Sequence, residues 1–341
     1  MIKTIVPQQR GLYNSFPTFV QERSRIFLFY RRGAKGRRGS HGSQGQVRCL
    51  VFEREEFLEA FREEKTESLY PLGQDGRVFG QGNEMDAIVS DLGGGVFSLA
   101  TRSYDNQGRM TTFISVADHP HFADRIPVTV EGVRWLVFYG KSFRWNRGFV
   151  FSAYGWLKNE NFDRPLLLFT EEGEKWELLS YLPSGDEGLL FNEGSVVFHR
   201  NRYFIFLRHD RKPFGLWYST SRDLQQWAPA QMLFESAHAP MAFVAGERLW
   251  LSYRRLLGDN RASTALIEPF AGRSVKNLEV YPGNWYDGGY SDLGHIGEDL
   301  FVVYYQGNEV GEPSIKCWSE SPATRKSTAV NPPGAGKREE K

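Results

Sequence analysis

The sequence predicts an all-β protein, a six-bladed β-propeller of four-stranded antiparallel blades, and three observations carry that expectation. One pattern recurs six times: an alternating apolar strand, a turn of Gly, Asn or charged residues, then a second strand rich in aromatics. The copies start near Pro17, Asp86, Pro127, Glu193, Pro240 and Tyr290. Alternation with period two is the mark of a half-buried strand, and repetition of a strand pair marks an array of like units. Aromatic residues make up 15% of the chain, with 26 Phe, 15 Tyr and 9 Trp, a composition suited to pleated surfaces. Glycine, 35 residues in all, supplies the turns. A propeller hides its sheet edges by radial repetition and gathers loops from every blade around one central pocket. An irregular β-sandwich is the alternative that the pattern leaves.

In chain order, the second strands of the six copies are expected at 25–30, 96–101, 134–139, 203–207, 248–253 and 300–305. Four of the copies run straight into arginine, at Arg31, Arg102, Arg208 and Arg254. Further strands at 47–52, 111–116 and 166–169 bring the units toward four strands each. Two stretches break the rhythm. Residues 53–65 carry Phe57, Leu58 and Phe61 among charged neighbours, the spacing of a short amphipathic helix, read as a surface insertion. Residues 321–341 turn to Ser, Thr, Pro, Gly, Lys and Glu and are expected to be a disordered tail after a single propeller domain spanning 1–320.

Composition excludes several classes of function. A formal net charge of +1 gives no concentrated positive field for nucleic acid. The two cysteines, Cys49 and Cys317, near opposite ends of the chain, neither form a metal-ligand set nor establish a disulfide framework. No apolar run has membrane-spanning length, and the first residues lack the apolar core of a signal peptide. The default expectation is a cytoplasmic protein without metal or organic cofactor; a phage particle would give the same pattern.

The chemistry concentrates in the stretch from Asn192 to Asp210, read as strand, tight turn, strand. Its ends, Glu193 and Arg208, come together at one rim of the sheet, a carboxylate beside a guanidinium. Two turns add a further signature. Residues 169–176 and 221–227 are degenerate forms of Ser-x-Asp-x-Gly-x-Thr-Trp, in which an acidic side chain bonds its own backbone and the Trp packs between strands.

With these turns, the repeated blades and the ordered set Glu193, Arg208, Arg254 and Tyr290, the chain resembles the sialidase (neuraminidase) superfamily over most of residues 12–306. The resemblance implies a glycoside hydrolase acting on sialic acid or a related acidic sugar. Sialic acid carries a carboxylate on its anomeric carbon, which paired arginine donors hold and which would repel a carboxylate nucleophile. Sialidases accordingly use tyrosine. By that resemblance Tyr290 is the nucleophile, Glu193 accepts its proton, and Arg208 and Arg254 clamp the substrate carboxylate. The bland reading of the same residues is a set of rim salt bridges and a packing aromatic. Arg255 should face the other way.

Two departures stand beside the matches. The Arg-Ile-Pro motif that opens the first blade in sialidases is replaced by Tyr13-Asn-Ser-Phe-Pro17, and no Asp precedes Asp75, so the usual acid of the first-blade loop is missing. That loop, Arg31 to Gly45, is basic and glycine-rich, with His41 as its one group titrating near neutrality. A histidine here and an incomplete arginine set also resemble the phage endosialidases. His41 is therefore a candidate catalytic residue, with Asp86 as reserve acid and Arg102 and Arg31 as reserve cations. Two rival functions remain: a carbohydrate-binding or structural propeller that keeps the clamp without the chemistry, and a five-bladed glycosidase needing three central carboxylates.

Overall fold

The structure is a computed structural model that describes residues 1–36, 41, 43–79, 82–184, 188–272, 275–282 and 288–320. It is a ring of six antiparallel sheets. The first blade comprises Leu12–Glu22, Arg25–Ala34, Ser43–Glu53 and Gln74–Phe79, and the second Asn83–Gly93, Val96–Tyr104, Met110–Ala117 and Ile126–Pro127. The third holds Val133–Phe138, continued along the same edge by Phe143–Trp145, then Gly148–Leu157, Arg164–Thr170 and Glu177–Tyr181. The fourth is Phe191–His199, Arg202–His209, Gly215–Ser221 and Gln231–Glu235, and the fifth Ala237–Ala245, Arg248–Gly258, Arg261–Ile267 and Lys276–Pro282. The sixth joins Ser291–Ile296, Asp299–Gln306 and Ser314–Ser319 to Ile2–Val6, whose Ile2 and Lys3 pair with Trp318 and Cys317. The ring is thus closed by strand pairing between the two ends of the described chain.

Each sheet is apolar on both faces, so each pair of neighbouring blades shares a core. Phe27, Phe29, Val89 and Leu99 fill the space between the first two blades, and Val150, Leu167, Ile205 and Leu207 that between the third and fourth. The inner strands carry alternating apolar residues for this reason: one set faces the preceding blade and the other the following one.

The third blade differs from its expected layout. Residues 133–138 form its inner strand, not its second, and Pro127 belongs to the outermost strand of the second blade. The aromatic run at 134–139 resembles the second strands elsewhere because it too is buried on both faces, and burial rather than rank in the blade sets composition. The amphipathic helix is present as Arg54–Arg62, but it does more than decorate the surface: Phe57, Leu58 and Phe61 are buried in the core between the first and sixth blades, against Phe52 and Phe301. Cys49 and Cys317 are buried free thiols. The expected tail, 321–341, lies outside the described residues.

The two acidic turns behave differently. Asp223 accepts backbone N–H groups from Gln225 and Gln226, and Ser221 accepts that of Leu224. At residues 169–176 the self-bonding is done by Thr170, which accepts the Gly173 N–H, while Glu171 turns out to Arg147. Trp176 donates to the Gly173 carbonyl and packs against Phe138 and Phe151.

Candidate active site

One register position repeats around the axis. Where the inner strand begins and the second strand ends, the facing residues are Ser15 and Arg31, Asp86 and Arg102, Val137 and Tyr154, and His238 and Arg254. Glu193 and Arg208 hold the same place in the fourth blade, inside an irregularity between the pairs Phe191–His209 and Gly194–Leu207. In the sixth, the Tyr305 N–H donates to the Tyr290 carbonyl. The four strand-end arginines of the sequence pattern are this one position seen in four blades. In the third blade it is Tyr154 and in the sixth Tyr305.

Glu193, Arg208, Arg254 and Tyr290 converge. The Tyr290 hydroxyl donates to Glu193 Oε1 at 2.5 Å, and Arg208 Nη1 donates both to that carboxylate oxygen, at 3.0 Å, and to the Tyr290 oxygen, at 3.1 Å. Arg208 Nη2 is held by Asp210 at 2.6 Å. The Arg254 guanidinium lies 5.0 Å from the Tyr290 ring centroid and donates to the Gly288 carbonyl at 2.9 Å. Glu193, Arg208 and Arg254 are 5%, 8% and 1% exposed, so these are desolvated charges rather than rim salt bridges. Among the described residues, Arg208 Nε, Arg254 Nε and Glu193 Oε2 are buried without a hydrogen-bond partner. A buried polar atom left unpaired costs roughly 1–3 kcal/mol, so these are the atoms at which an outside polar group would gain most.

Local backbone explains how Tyr290 reaches this place. Gly289 has φ of +83°, and a Cβ there would come within 2.7 Å of Arg254 Cβ and the Tyr281 hydroxyl. Only glycine permits so close an approach. Around Tyr290, Phe16 stands edge-on at 5.2 Å and Tyr305 is stacked at 6.2 Å. Burial, followed by the Glu193 carboxylate, pushes the Tyr290 hydroxyl above the usual phenol range, while Arg208 and Arg254 oppose the rise. The phenol is therefore protonated at neutral pH, with its proton directed at Glu193.

Asp86, Arg102 and His41 line the same cavity, of about 60 Å³, together with Glu193, Tyr290 and Tyr154. Arg102 Nε donates to Asp86 Oδ1 at 2.6 Å. Burial raises the Asp86 carboxyl pKa above the ordinary range, and Arg102 and Arg31 only partly offset that. The His41 imidazole is driven the other way: burial first, then Arg31, Arg102 and Arg254, lower its pKa to about 3. Its Nδ1 lies 3.5 Å from the Tyr13 hydroxyl. At neutral pH His41 is an uncharged ring.

Arg31, fully buried, sits behind this wall. It donates to the Glu84 carbonyl at 2.6 Å, to the His41 carbonyl, and to Asn83 Oδ1 at 3.5 Å, which ties the His41 segment to the second blade. The first-blade position facing it is Ser15, fully buried, with a hydroxyl that has no partner among the described residues. Arg255 points away and reaches Asn277, as alternation requires.

Three features escaped the sequence reading. Tyr154 projects into the cavity from the strand that the shifted third blade misplaced. His238 packs against Phe214, with its pKa lowered to about 2 by burial and by Arg208 and Arg254. Asp292, which lines the cavity, meets Lys141 at 2.5 Å, with Lys141 also donating to the Val89 and Phe19 carbonyls. A partly buried lysine between two strand segments carries no sequence signal of its own, because its partner lies 151 residues away.

No protein-family model and no curated protein matches the sequence. Solved structures do match the fold. Trypanosoma rangeli sialidase in complex with sialic acid superposes with a TM-score of 0.62 at 10% identity, covering 96% of this chain and 58% of that one. The chain thus spans under two thirds of the length of that sialidase. The α-L-arabinanase of Penicillium chrysogenum complexed with arabinobiose gives 0.59 at 10% identity, covering 93% and 97% of the two chains, and the α-L-arabinofuranosidase of Fusarium graminearum 0.61 at 8%, covering 94% and 98%. At this identity the likeness establishes the fold alone: the chain is a six-bladed β-propeller of the kind found in sialidases and arabinanases.

Proposed function

We propose that the protein is a sialidase-like glycoside hydrolase acting on sialic acid or a related acidic sugar, and one observation carries the reading. A buried tyrosine hydroxyl donates to a carboxylate at 2.5 Å while a guanidinium bridges both at 3.0 and 3.1 Å, in the axial pocket of a propeller. A phenol with its base already in hydrogen-bond contact is an activated nucleophile. A carboxylic acid sugar explains why that nucleophile is a neutral phenol, because a carboxylate would be repelled by the substrate.

In this reading Tyr290 attacks the anomeric carbon and its proton passes to Glu193 Oε1. Asp86 donates a proton to the departing glycosidic oxygen. A water then attacks the glycosyl-tyrosine bond, gives its proton to Asp86, and Tyr290 leaves with the proton returned from Glu193. The unpartnered Nε donors of Arg208 and Arg254 would take up the substrate carboxylate. The raised pKa of Asp86 suits the acid role, whereas His41, neutral down to about pH 3, suits contact with substrate hydroxyls rather than proton donation as an imidazolium.

The purified protein should release the fluorophore from 4-methylumbelliferyl α-sialoside, and Tyr290→Phe should remove the activity while the protein still folds, its circular dichroism spectrum unchanged. The buried Ser15 in place of a first-blade arginine favours a second reading, a glycan-binding propeller without turnover. Saturable binding of sialosides with no product release would select it.

A further inference from the structure

We infer that the end of the propeller axis opposite the axial pocket is a binding site for a small, uncharged, ring-bearing apolar molecule. The innermost segment of every blade lines the axial cavity with its earlier residues and a second cavity with its later ones. Thr18, Asp86, Tyr139, Glu193, Met241 and Asp292 belong to the first lining, and Val20, Asp91, Phe143, Val197, Phe243 and Leu293 to the second. Where the two linings meet, polar groups bond one another. Lys141 holds Asp292 and donates to the Thr18 hydroxyl at 3.1 Å, and Asp292 accepts the Phe19 N–H at 2.8 Å. The Ser90 hydroxyl accepts the Ser142 N–H at 2.9 Å, and the Ser195 hydroxyl accepts that of Ala242 at 3.0 Å. Beyond this belt the second cavity opens to about 570 Å³, a volume typical of small-molecule sites.

Its wall is apolar and already braced. Phe143, Phe198 and Phe243 come from three successive blades. Tyr203 stacks on Phe143 at 6.1 Å and meets Phe198 at 4.8 Å, and His295 stands edge-on to Phe243 at 5.5 Å. Phe198 is nevertheless 52% exposed, so an apolar occupant would remove ring surface from water at a place prepared for it. The polar side chains of the lining are engaged elsewhere. Lys141 is bonded into the belt, Arg144 donates to the Gly93 carbonyl at 3.3 Å, and Asp91 accepts the Gly93 N–H at 2.8 Å. Among the described residues, no buried side-chain atom without a hydrogen-bond partner lines this cavity, whereas Glu193 Oε2 does so in the axial one. The lining therefore asks for no hydrogen bond. Its charges also balance, with Lys141 offset by Asp292 and Arg144 by Asp91, which leaves no net field to select an ion. Walls drawn from all six blades make a concave cup rather than a flat protein-docking face.

The test titrates the full chain with N-phenyl-1-naphthylamine and with 8-anilinonaphthalene-1-sulfonate, one ring system without and with a negative charge. The neutral probe should give a saturable fluorescence rise at one equivalent and bind more tightly than the anionic one. Phe198→Lys, at a position already exposed, and Phe243→Ala should each weaken the neutral probe roughly tenfold. Phe16→Ala, in the axial pocket, should leave its affinity within about twofold. Circular dichroism checks that each variant is folded. The absence of a saturable rise, equal or tighter binding of the anionic probe, or an affinity that neither Phe198→Lys nor Phe243→Ala moves overturns the site. So does a dimer in analytical ultracentrifugation that Phe198→Lys dissociates, since a second copy of the chain would then fill the cup. The experiment reads binding alone and stands whether or not the axial pocket turns over a sialoside.

Discussion

Tyr290, Glu193 and Arg208 form a unit in which each side chain sets the state of the others. Arg208 keeps a high pKa despite burial, the largest opposing effect, because Glu193, Tyr290 and Asp210 face it. Removing one member strands the rest in a dry site, so Glu193→Gln should weaken folding by roughly 3–5 kcal/mol as well as abolish turnover, a cost readable by urea unfolding. Protonation can be followed separately. With a pKa near 3, His41 should show an unmoving imidazole proton resonance from neutral pH down to about pH 4. The sign follows from burial of the neutral form: stability contributed by His41 is complete above about 6.5 and is lost as pH falls toward about 3, so His41→Gln should flatten part of the acid-side fall in melting temperature. For Asp86 the shift is upward, so kcat should decline as pH rises through its raised pKa. Asp86→Asn should erase that limb and reduce kcat by about 10²–10⁴. The four converging residues were legible in sequence because each ends a repeated strand pair. His238 was not, since its strand begins like any apolar strand and its place beside Arg254 appears only in the register.

At the level of elements, position depends on a few backbone choices. Gly289 lets Tyr290 and Arg254 share the space that a Cβ would fill, so Gly289→Ala should destabilise the protein by roughly 1–3 kcal/mol and cut activity far more than that loss of stability explains. Calorimetry and kinetics on the same sample separate the two. The helix Arg54–Arg62 was visible as a spacing of apolar residues, but its burial was not, because the receiving surface comes from Phe301, some 240 residues later. Phe57→Ala should accordingly cost about 3–5 kcal/mol, as for a core position. The third blade was misaligned for a related reason: an inner and a second strand, both buried on two faces, have the same composition, and only the pairing of 133–138 with Gly148–Leu157 tells them apart.

For the whole molecule, six sheets and five of the six repeat positions could be read from alternation and aromatic content, whereas ring closure could not. Ile2–Val6 is too short to signal its partner, and that partner, Ser314–Ser319, lies at the far end of the described chain. Deleting residues 1–6 should open the sixth blade and lower the melting temperature by roughly 10 °C or more. Closure also sets the site, because Tyr290 precedes the first strand of the sixth blade and Glu193 belongs to the fourth, and only an intact ring holds them at 2.5 Å. The central claim is that this phenol is the nucleophile. It is tested most directly by incubating the protein with 2,3-difluorosialic acid, digesting it and locating the added mass by peptide mass spectrometry. The account expects the sugar on Tyr290, in wild type and not in Tyr290→Phe; a label on Glu193 or Asp86, or sialoside turnover that persists in Tyr290→Phe, would contradict it.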